Sequence, residues 1–244
     1  MSATALLLPV RADTATPPRG GSLFETTGFE IGWDHAHHRL VPPAEHLHPG
    51  HPVRQGWQAG QAVFGTRTLR ATPQVRKWLQ LRLNAWQRGH AFEGLQVTPH
   101  FLAQIEVAVC PIIRTALTHA SGAGSDAAVD RVGHQAAYAA GNLAMTSTRV
   151  TQAKASLGWD DALAVARQLD ASGLDTLDGL APVHWVRLGV LMSFVTPMAH
   201  DEAACLPLLV LPPNRLRLLN AVQALQAVVT LAFTEPQAVP RLRE

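Results

Sequence analysis

Two glycines in an alanine-rich run constrain how the middle of this 244-residue chain can fold. Residues 126–155 read DAAVDRVGHQAAYAAGNLAMTSTRVTQAKA, and Ala136, Ala137, Ala139, Ala140 and Ala144 alone favour one long helix. Gly133 and Gly141 oppose it, each costing about 1 kcal/mol in a helix interior. Thr146, Ser147 and Thr148 oppose it too, because short hydroxyl side chains favour caps and turns. The pattern therefore predicts a short strand AAVDRV that ends on Asp130 and Arg131, a loop GHQAAYAAG and a second short strand NLAM. Thr148 is expected to cap a helix from Arg149 to about Leu157, with Gly158 after it. Upstream, VCPIIRTALTH is β-branched enough to predict a hairpin strand, followed by the turn-rich ASGAGSD.

The flanks differ in charge. Between Glu45 and Glu93 there is no acidic residue, while Arg54, Arg67, Arg70, Arg76, Lys77, Arg82 and Arg88 all fall there. Within that block Thr72 and Pro73 open a helix that Gly89 closes, with Val75, Leu79, Leu83 and Trp86 on one stripe. Trp78 and Trp86 share a face, which predicts core packing for both. Pro99 is expected to open another helix, through Phe101, Ile105 and Val109, that leads into Cys110. From Gly158 to Ala204 the balance reverses, with seven acids opposed by Arg167 and Arg187. That half predicts helices in GWDDALAVARQLDASG, in APVHWVRLGVLMSFVTP and from near Asn214 onward. Four regions result: a flexible arm at 1–22, a basic, His-rich and mainly helical region at 23–103, the strand–loop–helix unit at 104–157, and a helical region at 158–244.

The ordered set Asp130, Arg131, Val132, Tyr138, Gly141, Asn142, Leu143, Arg149 and Lys154 resembles the HNH endonucleases of the ββα-metal superfamily. The branch that it is most similar to comes from phages and mobile elements. The resemblance implies an α+β, mainly helical fold, with a small HNH-like ββα-metal module flanked by helical regions. It also implies a metal-dependent endonuclease that hydrolyses phosphodiester bonds in DNA, in a phage, mobile-element or defence context. Asp130 and the helix position held by Thr151 would ligate Mg²⁺ or Mn²⁺, and Asn142 would fix the loop. Arg131, Arg149 and Lys154 would stabilise phosphate charge. Two positions depart from the family: Arg131 stands where the general-base histidine belongs, and Thr151 where Asn or His ligates. His134, three residues after Arg131, is the candidate to take the proton. These departures set up a second expectation, a catalytically degenerate HNH-like subunit that binds nucleic acid or scaffolds a larger complex.

Partners follow from the charges. Arg67, Arg70, Arg76, Lys77, Arg82 and Arg88, with Arg149 and Lys154, are the candidate phosphate contacts, DNA being preferred to RNA. The apolar C-terminal helices are candidates for a protein partner or a homodimer. No run approaches eighteen unbroken apolar residues, so no membrane span is expected, and the first residues lack the basic leader of a signal peptide. Cys110 and Cys205 are too few for a disulfide framework or a thiolate zinc site, which favours a reducing, cytoplasmic setting. Six of the twelve histidines lie between His35 and His51, a candidate transition-metal segment or a His-rich surface. Arg114 to His119 also fits the R-x4-H spacing of helical HEPN ribonucleases.

Overall fold

Proline at the first helical position, with a side-chain acceptor just before it, starts several of the helices. Thr72 accepts from the Val75 N–H and Thr98 from the Phe101 N–H, each at 3.2 Å, with Pro73 and Pro99 following them. His51 plays the same part ahead of Pro52, its Nδ1 accepting from the Val53 N–H at 3.3 Å. The computed structural model describes residues 21–234. Along that span run α1 (Gly21–His37), α2 (Pro52–Phe64), α3 (Pro73–Gln87), α4 (Pro99–Gln104), β1 (Ala127–Arg131), β2 (Leu143–Ser147), α5 (Thr148–Lys154), α6 (Trp159–Ser172), α7 (Pro182–Ser193), α8 (His200–Cys205) and α9 (Ala221–Thr234). The fold is mainly helical α+β with a two-stranded antiparallel sheet. No helix among the described residues is long and apolar enough to cross a membrane.

α1 and α2 pack backbone against backbone. Each carries a pair of glycines four residues apart, Gly28 and Gly32 on one, Gly56 and Gly60 on the other. A Cβ on Gly32 would run into the Val53 carbonyl, and one on Gly56 into the Phe29 carbonyl. α3 lies across this pair and buries Leu83 and Trp86 against Ile31 and Val53. So the basic helix rests on a closely packed platform.

The hairpin sits between two cores. Ala127 pairs with Ser147 and Arg131 with Leu143, and every residue of β2 is buried. Leu143 joins Leu81, Ala85, Phe101, Ile105 and Tyr138 on one side. Ala144 and Val150 join Val165, Leu169, Trp185, Leu188 and Phe194 of the α6–α7 side. That second cluster runs from Cys110 to Leu216, so the boundary drawn at residue 157 crosses one continuous core.

Several local expectations are corrected. Val109 to His119 is a turn closed by a single bridge, Val109 to Ala116, because Cys110 and Ile112 dive into the core instead of pairing along an edge. α4 stops at Gln104, where Ile105 turns inward and the Gln104 carbonyl accepts from Asn214 Nδ2 at 2.7 Å. α5 ends at Lys154 and its cap is Ser147, not Thr148. Thr148 instead donates its hydroxyl to the Asp126 carbonyl. The last helix begins at Ala221, since Asn214 and Arg215 form a turn and the following residues bond elsewhere, Arg217 N–H to Gly141 O and Leu219 N–H to Phe194 O. Residues 1–20 of the arm lie outside the described residues.

Candidate functional site

Neighbouring residues of a strand point to opposite faces, and this separates Asp130 from Arg131. Asp130 faces α5. Its Oδ2 lies 2.9 Å from Lys154 Nζ, and the lysine side chain is 2% exposed. The same ammonium donates to the Arg131 carbonyl at 2.7 Å. Burial pushes the Asp130 carboxyl above its ordinary range, opposed by the Lys154 ammonium and then by Arg131. Thr151, one turn earlier on α5, shares a 3.1 Å hydroxyl contact with Thr146.

Arg131 leaves by the other face. Its guanidinium lies 4.8 Å from the centre of the Tyr138 ring and donates to the Ala136 carbonyl at 3.1 Å. It also meets His90 Nε2 at 3.2 Å. Arginine has no acceptor, so His90 accepts there, which assigns its ring proton to Nδ1. His90 was missed in the sequence, where it lies 41 residues from Arg131. It arrives because Phe92 bridges to Tyr138, while the Tyr138 N–H bonds to Ala91 O. Glu93, also missed, accepts from the Ala140 N–H at 3.3 Å and secures the same loop.

Asn142 closes that loop from within. Its Oδ1 accepts from the Gly133 N–H at 2.8 Å, and its Nδ2 donates to Gly133 O and Ala137 O. His134 is half-buried beside Trp159, Val195 and Pro197 in a cleft of about 300 Å³, away from Asp130. The loop before β1 is organised by Asp126, whose carboxylate accepts from Ser121 and Thr118 hydroxyls and from the Ser121 and Gly122 N–H groups. The Ser121 hydroxyl, then Thr118, hold its carboxyl well below the usual range. The Asp126 and Gly124 carbonyls then take the Thr148 and Arg149 N–H groups, which ties loop to helix.

The donor set does not suit a divalent ion. The Asp130 carboxylate is engaged by a buried ammonium, and the Thr151 hydroxyl is turned to Thr146. Among the described residues, no group of three or more His, Cys, Asp or Glu is placed to hold a metal. In the His-rich segment His35 binds the Ile31 carbonyl at 2.7 Å, while His37 stacks on Phe64. His46 and His51 approach to 3.4 Å, and burial lowers the pKa of each. Arg114 and His119 sit in an irregular turn, with Arg114 donating to Leu209 O, so the R-x4-H spacing is not helical.

The basic residues divide into two groups. Arg67, Arg70, Arg76, Arg88 and Arg149 are exposed. Lys77 is half-buried at 3.2 Å from Glu106, whose pKa falls through the Gln74 hydrogen bond and then through Lys77. Arg82 is paired with Asp34, lies 3.6 Å from Glu30 and covers the Trp78 ring at 4.8 Å. A narrow cleft of about 250 Å³ runs between Lys77, Gln80 and Asn84 of α3 and Ala127, Val129 and Thr148 of the hairpin and α5. No protein-family model, curated protein or solved structure matches this chain.

Proposed function

We propose that this chain binds DNA through an HNH-like ββα unit that does not cut it. The observation that carries this reading is the buried Lys154 ammonium on Asp130, 2.9 Å away, where the resemblance implies a divalent ion. A fixed ammonium supplies the charge that holds the strand end to the helix. It has no open coordination position for an attacking water, which metal-assisted hydrolysis requires. Arg131 adds to the case, since a guanidinium accepts no proton at neutral pH. The nucleic-acid part rests on Arg67, Arg70, Arg76 and Arg88, exposed before, on and just after α3, and on exposed Arg149 in the first turn of α5.

Fluorescence anisotropy with a short duplex, titrated between low and high salt, tests the binding. Four to five phosphate contacts give a slope of log affinity against log salt of about −4. In parallel, supercoiled plasmid is incubated with Mg²⁺ or Mn²⁺, and no nicking is expected. Nicking that Asp130→Ala abolishes would instead establish the endonuclease expected from the resemblance. Absence of binding at low salt would remove the DNA reading altogether.

A further inference from the structure

Beside Arg131, on the side away from Lys154, a cleft of about 600 Å³ opens between α1 and the chain that follows α3. Its volume is in the range of about 300–1,000 Å³ usual for small-ligand sites. Phe24 and Phe92, both partly exposed, form its accessible aromatic walls over the buried Ile31 and Trp86, with Glu30, Arg82 and His90 as its polar rim. Phe24 and Trp86 are stacked at 4.2 Å, and the Trp86 indole N–H donates to the Phe24 carbonyl at 2.8 Å, so that wall is fixed. The Phe92 ring centre lies 5.9 Å from the Arg82 guanidinium and 6.3 Å from the centre of the Tyr138 ring.

The rim restricts what can enter. Arg82 is already neutralised by Asp34 and Glu30, so an anionic head group gains little there. Glu30 is 59% exposed and offers a carboxylate to a donor. An aliphatic chain would fill the walls but leave that carboxylate unused. A flat heterocycle with an exocyclic amine satisfies both, by stacking on the walls and donating to Glu30. A thymine has a carbonyl where cytosine has its amine, and its one ring N–H reaches the carboxylate only with a carbonyl oxygen on either side of it. His90 contacts Arg131 at 3.2 Å, which brings a cation to the edge of the cleft where the backbone of such a nucleotide would pass.

We infer that this cleft receives one unpaired, amine-bearing nucleobase of the bound strand. The inference rests on the DNA reading above and narrows it. Unpairing costs a few kcal/mol in a duplex and little in a single strand, so single-stranded or mismatched DNA binds preferentially. Stacking of one base on aromatic walls corresponds to roughly ten-fold in affinity.

The test compares oligo-dC with oligo-dT of equal length at fixed low salt, by anisotropy, on the full chain. Wild type is expected to bind dC about ten-fold more tightly, the effect of one hydrogen bond to a charged acceptor. In Glu30→Gln the preference is expected to collapse to within about two-fold, because the amide both accepts and donates. In Phe92→Ala both strands weaken, and a quench of 2-aminopurine placed in the strand is lost. Equal binding of dC and dT by wild type, with Glu30→Gln unchanged, overturns the cleft and leaves the DNA reading in place. No binding of either strand or of duplex at low salt overturns both. Because Glu30 is on the surface, its variant keeps the test valid even if Phe92→Ala fails to fold.

Discussion

Lys154 on α5 and the exposed arginines on and beside α3 carry the same charge into opposite surroundings. Lys154 is buried against Asp130 and the Arg131 carbonyl. Arg76 of α3 and Arg88 just after it stand in water, and the two helices face each other across the cleft beside the hairpin. One cation is consumed in holding the strand to the helix, while the others remain available to a ligand. Positive charge where a strand meets a helix is therefore no measure of its chemistry, and the decisive property is whether a carboxylate has already claimed it.

Removing the buried cation is the strongest way to break this comparison. Lys154→Met strands a buried carboxylate, which costs about 3–5 kcal/mol and lowers the thermal midpoint by roughly 10 °C. Adding Asp130→Asn should recover much of that loss. A double variant no more stable than the single one would mean that the pair does not act as a unit. The penalty also depends on pH. Without Lys154 the upward effect of burial on Asp130 loses its main opponent, with only Arg131 left against it, so the folded state holds that proton more tightly than the unfolded chain. Stability of Lys154→Met should fall as pH rises from the ordinary aspartate range through the raised folded value. Denaturant titrations at pH 4 and pH 7 check it, and the deficit should be smaller at pH 4.

The platform under α3 comes next in expected effect. Gly56→Ala forces α2 away from the Phe29 carbonyl, for about 1–3 kcal/mol by denaturant titration. On the exposed side, Arg76→Ala with Arg88→Ala should leave stability within about 0.5 kcal/mol. The same double change should reduce the magnitude of the salt slope of DNA binding by about 2. A change in stability with no change in slope would reverse the roles assigned to the two groups of cations.

The smallest effect concerns the histidines. Burial lowers the pKa of His46 and His51 below 6.5, so the unfolded chain takes up protons first on acidification. Stability should therefore fall as pH drops through 6.5 towards the folded values. His51→Asn keeps a capping acceptor ahead of Pro52 and should flatten that slope, with a thermal midpoint near that of wild type at pH 8.

How much of this was legible depended on whether the signal was local. The hairpin, loop and helix at 127–154 could be read because Gly141, at φ +91°, breaks the alanine run where the chain turns. Thr72, Pro73 and Gly173 likewise marked helix ends that the structure keeps. The resemblance implied that Lys154 is a phosphate contact alongside Arg149. Five positions turn a helix by about 140° beyond a full circle, so the two cannot share a face. Arg149 is exposed and Lys154 buried. The glycine pairs of α1 and α2 were missed because glycine counts against a helix until the partner backbone is known. His90 reaches Arg131 through one long-range bridge, for which no periodicity exists in the sequence.

The two lysines at 77 and 154 are this chain's only side-chain amines. Amine-directed reagents such as succinimidyl esters should find Lys154 shielded in the folded state and modify Lys77 in preference. Lys77 lines the cleft beside the arginine-bearing helix. Attachment of the protein to a sensor surface or dye through Lys77 covers that face. A blank binding trace from such a surface would report the coupling, so attachment through Cys205, which is exposed, is the sounder choice.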